Sequence, residues 1–171
     1  MAIRKILKYP DPDLRKKAAP VEDFGEELEK LVKDMAETMY DAPGAGLAAT
    51  QIGVHQQVVV MDVGPKEDKE LTVLINPQIL EAEGEIVDEE GCLSVIEFSA
   101  KVKRARKIAV QAKDMQGNPL EFEAEEWFAR VIQHEVDHLQ GVLYIDRISA
   151  LKRSLYKKKL KKILREQAEK E

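Results

Sequence analysis

The sequence predicts an α+β fold in which antiparallel strands surround a central helix, with one further helix near the N-terminus and another at the C-terminus. Three observations predict it. Apolar residues recur at helical spacing in three places, β-branched or alternating runs fill the middle of the chain, and Gly, Pro and Asn punctuate those runs. With 171 residues, no internal repeat and no long linker, the whole chain is expected to form one domain.

After Pro10, Pro12 and Pro20, Asp23 and Glu26 have the spacing of a capping box. Leu28, Leu31, Val32, Met35 and Met39 then repeat on one face, predicting a helix over about 24–41 that Pro43 and Gly44 stop. Gly44-Ala45-Gly46-Leu47-Ala48-Ala49-Thr50-Gln51 follows, with side chains small enough to let the backbone come close to another group. Strands are predicted over 57–63, 71–75, 79–83, 107–113 and 120–125, punctuated by Gly64-Pro65, Asn76-Pro77, Gly84 and a turn over 114–119. A central helix is predicted over about 125–140, with Glu125 and Glu126 in its first turn and Gly141 ending it. From Ser149, Leu151, Leu155, Leu160, Ile163 and Leu164 alternate with eight lysines and arginines between Lys152 and Arg165. This predicts a basic amphipathic helix over about 149–167 whose apolar stripe packs on the domain.

Composition excludes several classes. Hydrophobic residues at 44% and charged residues at 35% suit a packed core under a solvated surface, not a disordered chain. A net charge of -5 argues against sequence-specific nucleic-acid binding over the whole surface. The lone cysteine, Cys92, allows no intrachain disulfide and suits a reducing cytoplasm. Lys8, Pro10 and Asp11 interrupt the N-terminal segment before a signal-peptide core can form, and no apolar run approaches the roughly 20 residues that cross a bilayer, so a soluble protein is expected.

Chemistry concentrates in His134-Glu135-Val136-Asp137-His138. Two histidines four apart on a helix lie one turn above each other and can grip one ion, leaving Glu135 beside the first of them to work on a water at that ion. A catalytic site of this kind needs a third protein ligand and an open position. In one zinc-peptidase pattern Gly141 stands where the glycine should, but Tyr144 replaces the histidine; in another, only Asp146 and the lysine-flanked Glu166 follow. Cys92 remains, readable either as a small buried hydrophobe or as a ligand.

Gly44 to Gln51, Glu90-Gly91-Cys92-Leu93-Ser94 and His134-Glu135-Val136-Asp137-His138-Leu139-Gln140-Gly141 together resemble the three signature motifs of the peptide deformylases, in that family's order. The resemblance covers about residues 3–148, and the tail resembles the extra C-terminal helix of the bacterial branch. It implies that Cys92, His134 and His138 bind one divalent ion, that Glu135 is general base and then acid, and that the Gln51 amide and the Leu93 backbone N–H hold the oxyanion. It further implies that Arg104 pairs with Asp137 behind the site, that the ion is Fe2+ with Zn2+, Ni2+ or Co2+ able to substitute, and that the substrate is the N-formylmethionine of nascent polypeptides. Two positions depart from the family: Ile96 stands where many relatives have Pro, and Ser99 where Arg is common.

The residue types suit that reaction. A carboxylate can take a proton from water and return it to a leaving amine, and an amide donor aimed at a developing oxyanion is typically worth about 3 kcal/mol. Gly44, Ala45 and Gly46, with Gly91 allowing close backbone approach and Trp127 and Val131 opposite, are candidates for the slot that takes the substrate methionine, though Trp127 reads equally well as core. Two other readings stay open: a zinc endopeptidase built on the same His-Glu-x-x-His core, and a structural metal or interaction module that would not need Glu135. The basic tail is expected to dock near the ribosomal exit tunnel through contacts that weaken with salt, and truncation after Ser149 is expected to reduce ribosome co-sedimentation sharply at low salt while hydrolysis of a free formyl-peptide changes little.

Overall fold

The computed structural model describes residues 2–65 and 67–170. Helix α1 (Glu26–Asp41) is followed by strands β1 (Gly46–Ala48), β2 (Val58–Met61), β3 (Thr72–Glu83), β4 (Ile86–Cys92), β5 (Val95–Arg104), β6 (Lys107–Lys113) and β7 (Pro119–Glu125). The central helix α2 (Glu126–Leu139) and the tail helix α3 (Ala150–Glu169) complete the order. The class is α+β, as the sequence predicts.

Five strands form one antiparallel sheet in the order β1-β2-β3-β6-β7, while β4 and β5 form a separate two-stranded sheet. The short strand β2, Val58-Val59-Val60-Met61, explains the layering. All four residues are buried: Val59 and Met61 join the cluster that includes Ala129, Ile132 and Leu139 of α2, and Val58 and Val60 join the cluster that includes Leu31, Met35 and Met39 of α1. A strand buried on both faces is continuously apolar for this reason. The large sheet is thus sandwiched between α1 and α2, and each fully buried aliphatic side chain contributes about 1.5–3 kcal/mol through burial.

Several local expectations are corrected. Asp23 does not cap α1: Gly25 is the N-cap without a side-chain bond, the helix starts at Glu26, and Phe24 packs near Gly117 and against the α1 core cluster. Asn76-Pro77 is no turn between two strands but an irregularity inside the single strand β3. Asn76 adopts φ 51, and its side chain accepts from the Val21 N–H at 2.7 Å and donates to the Val21 carbonyl at 3.1 Å, so a side chain supplies the pairing that the backbone gives up. The β4–β5 hairpin is the main element the sequence conceals, since the acidic and basic residues from Asp88 to Lys103 mask its alternation.

Gly141 ends α2 with φ +78, and a Cβ there would run into the Arg15 carbonyl. On α3 the apolar stripe is divided. Tyr156 and Leu160 are buried, whereas Leu151, Leu155 and Leu164 are 69%, 55% and 42% exposed. Aromatic stacking decides which face docks: Tyr156 lies 4.5 Å from Phe98 between ring centroids, and its hydroxyl donates to the Ile96 carbonyl at 3.3 Å.

The N-terminal segment is tied to α1 through Asp34, which accepts from the Ala2 N–H at 2.8 Å and from Arg4 Nε at 2.9 Å. The Arg4 guanidinium and the Ala2 N–H hold the Asp34 carboxyl below the usual carboxylate range. A depressed folded-state pKa contributes stability above the ordinary carboxylate range and loses it as pH falls through the folded value. Asp34→Ala is therefore expected to cost about 1–2 kcal/mol at neutral pH, with the gap to wild type in urea unfolding closing in acid.

Candidate active site

Helix α2 presents His134 and His138 on one side, their ring centroids 5.0 Å apart. The turn at the end of β4 brings Cys92 to them, and the ligand atoms of Cys92, His134 and His138 all lie within 4.8 Å of one another. Cys92 Sγ is 3.3 Å from His138 Nε2. The sulfur also accepts from the Ser94 N–H at 3.4 Å and from Gln51 Nε2 at 3.7 Å.

The surroundings of the histidines are those of a cation site. His134 Nδ1 bonds Glu90 Oε1 at 2.8 Å, which fixes the ring and leaves Nε2 for an ion. Burial disfavours a charged His134, but Glu135, Cys92 and Glu90 outweigh it and raise its pKa; the negative groups that favour a proton there equally favour a metal ion. Burial and the neighbouring His134 push His138 the other way, toward the neutral imidazole that ligation requires. The donor set of one sulfur and two imidazoles fits a divalent transition metal.

Glu135 is buried, and its Oε1 has no hydrogen-bond partner among the described residues. Burial, reinforced by Glu90, raises its pKa to about 7, where a carboxyl group can both take and give a proton at neutral pH. Its other oxygen leaves no room at Gly46, where a Cβ would lie 2.6 Å from Glu135 Oε2. The small-residue segment before Gln51 thus has a steric cause.

A cavity of about 330 Å³ opens onto these groups. Gly44, Ala45, Gly46 and Gly91 line it together with Val131 and Trp127; Trp127 is half exposed at 50% and is not core. Gln51 is buried. Its Oε1 accepts from the Ala48 N–H at 3.0 Å, which turns Nε2 toward Ser94 Oγ, 3.1 Å away, and Cys92. Leu93 occupies the turn between β4 and β5, lines the same cavity, and its carbonyl accepts from Lys8 Nζ at 2.5 Å.

Behind the site, Arg104 Nη1 donates to Asp137 Oδ2 at 2.6 Å, and the same guanidinium grips both oxygens of Glu90 at 2.8 Å. Arg147 donates to Asp137 as well. Burial would raise the Glu90 pKa, yet the bonds from Arg104 and His134 prevail and hold it at about 2. Sequence reading missed Glu90, Ser94, Arg130 and Arg147. Glu90 and Ser94 flank Cys92 in its own motif, but nothing local announces the two arginines. The departures stand off the cavity: Ser99 donates to Glu89 at 3.1 Å across the hairpin, and Ile96 packs near Tyr156. The alternative third ligands are otherwise engaged, Tyr144 donating to the Phe98 carbonyl and Asp146 pairing with Arg15, while Glu166 is exposed on α3.

Donors converging from a helix and a hairpin, next to a buried carboxyl group poised near neutrality, place the molecule among metal-dependent hydrolases. The chain belongs to the polypeptide deformylase family, whose profile matches residues 3–154. It is 56% identical over 164 residues to the peptide deformylase of Desulfotalea psychrophila, covering 95% of this chain and 97% of that one. Against the peptide deformylase of Alkalilimnicola ehrlichii it is 51% identical over 166 residues, covering 97% and 93%. The crystal structure of a peptide deformylase from Legionella pneumophila matches with a TM-score of 0.90 at 50% identity, over 97% of this chain and 98% of that one.

Proposed function

We propose that this chain removes the formyl group from the N-terminal N-formylmethionine of nascent polypeptides, releasing formate. The observation that carries the reading is the meeting of Cys92, His134 and His138 beside the buried carboxyl group of Glu135, whose Oε1 has no hydrogen-bond partner among the described residues, at the base of a cavity. Cys92, His134 and His138 hold one divalent ion, which when bound supplies Lewis acidity and a nucleophile available at neutral pH. Ferrous iron is the proposed native ion, with Zn2+, Ni2+ or Co2+ as substitutes, although raw affinity favours zinc over ferrous iron. Elemental analysis of anaerobically purified protein decides among them.

Glu135 accepts a proton through Oε1 and returns it to the amine as the amide bond breaks. Gln51 Nε2 and the Leu93 N–H donate to the developing oxyanion, and the Ala48 N–H holds the Gln51 amide in the orientation that this needs. The methionine side chain enters the cavity between the Gly44-Ala45-Gly46 segment and Val131, with Trp127 at its mouth. Arg104 and Asp137 brace the histidine helix from behind. A zinc endopeptidase is not favoured.

Incubation with formyl-Met-Ala-Ser and with casein tests the reading: formate release from the first and no cleavage of the second is expected, and the reverse result refutes it. We read residues 1–171 as one catalytic domain acting in a reducing cytoplasm, where Cys92 stays reduced. No helix among the described residues is long and apolar enough to cross a membrane.

The exposed lysines of α3 are proposed to dock on ribosomal phosphate near the exit tunnel. Because Tyr156 and Leu160 belong to the core cluster around Leu14, Val95 and Tyr144, truncation after Ser149 would damage the fold. Replacing Lys157, Lys158, Lys161 and Lys162 by Ala is the cleaner test. Ribosome co-sedimentation at low salt should fall severalfold with hydrolysis of free formyl-peptide unchanged, and unaltered co-sedimentation would remove the docking role.

A further inference from the structure

The groups read above as metal ligands come from two separately built pieces. Cys92 ends β4 in the two-stranded sheet, whereas His134 and His138 ride on α2, whose core neighbours belong mainly to the large sheet. We propose that Arg130 holds these two pieces at ligating distance and so acts as a positioning residue for the metal centre.

Arg130 stands one helical turn before His134, on the same side of α2. It is among the largest buried side chains, with only 2% exposure, and it also borders the active-site cavity beside Val131 and His134. Among the described residues, its side-chain hydrogen bonds all cross from α2 to the hairpin. Nη1 donates to Glu90 Oε2 and to the Val102 carbonyl at 3.0 Å, and Nη2 donates to the Ile86 carbonyl at 2.9 Å. Both strands of the hairpin are therefore tied to the helix by one planar group. Glu90 is also the acceptor that orients His134 through Nδ1.

Arg104 cannot replace this function, because it belongs to the hairpin itself. Its two bonds to Glu90 stay within the hairpin, and only the Nη1 bond to Asp137 reaches α2. A lysine at position 130 could meet Glu90 but could not fork between Glu90 and two carbonyls on different strands. The geometry thus separates Arg130 from a general contribution to packing: its loss should change the relation of Cys92 to the histidines, not only the stability of the fold.

The inference rests on Cys92, His134 and His138 being the ligands, and cobalt-loaded protein tests the two claims separately. In wild type, a near-ultraviolet sulfur-to-cobalt charge-transfer band is expected; its absence would refute the ligand reading itself. Given that band, Arg130→Met should weaken Co2+ binding in chelator competition by roughly 10–100-fold and alter the band, with Arg130→Lys recovering part of both. At saturating metal, kcat should fall more than KM rises. Asp34→Ala controls for lost stability remote from the site, and should leave the Co2+ dissociation constant within twofold of wild type. Unchanged Co2+ affinity and an unchanged band in folded Arg130→Met would overturn the proposal. If that variant does not fold, Arg130→Lys decides: weakened Co2+ binding supports the role, and wild-type binding overturns it.

Discussion

Glu135→Gln is expected to lower kcat by about 10²–10⁴-fold while the protein keeps its metal. Gln matches Glu in size, so it fills the space under Gly46 that a larger group could not share, and neither histidine loses a partner. What disappears is the proton acceptor. Glu135 is buried with Oε1 unpaired, and burial raises its pKa to about 7. A group in that state can accept a proton and release it within one turnover, whereas an amide can do neither. The measurement is formate release from formyl-Met-Ala-Ser at several substrate concentrations, with metal content determined on the same preparation. Formate release at the wild-type rate would mean that another group moves the proton, and it would favour a structural role for the metal.

Cys92→Ser is expected to reduce metal content and activity together. Serine keeps the size of the side chain but replaces a soft thiolate by a hydroxyl that ligates poorly at neutral pH. It also removes the sulfur to which the Ser94 N–H and Gln51 Nε2 donate. The affinity loss should exceed the roughly 10–100-fold typical of residues that only support a ligand, and added metal should restore activity in part. Metal per chain after dialysis, followed by activity on titration with Co2+ or Fe2+, separates these effects. A variant with full metal occupancy after dialysis would exclude Cys92 from the site.

The sequence by itself determined the parts of this protein that depend on spacing along one element. His134 and His138 share a side of α2 because residues four apart always do, and the apolar residues of α1 meet the sheet because their period is helical. Gly141 could be placed at a helix end for the same local reason, and the motif resemblance supplied Cys92 and Gln51. Tertiary structure decided what depends on separate segments meeting. Whether Cys92 is a buried hydrophobe or a ligand turns on a hairpin whose charged residues hide its alternation, and that hairpin delivers the sulfur 3.3 Å from His138 Nε2. Glu90 read as one acid in an acidic run, yet Arg104 from β5 and Arg130 and His134 from α2 converge on it. The stripe on α3 shows the same limit. Period alone could not say that Tyr156, rather than Leu151 or Leu155, would dock, because the choice was made by Phe98 and Tyr144, whose rings come from elsewhere in the chain. Local spacing fixes which side chains share a face; only the packed partner fixes which face is buried, since burial free energy depends on the surface that meets it.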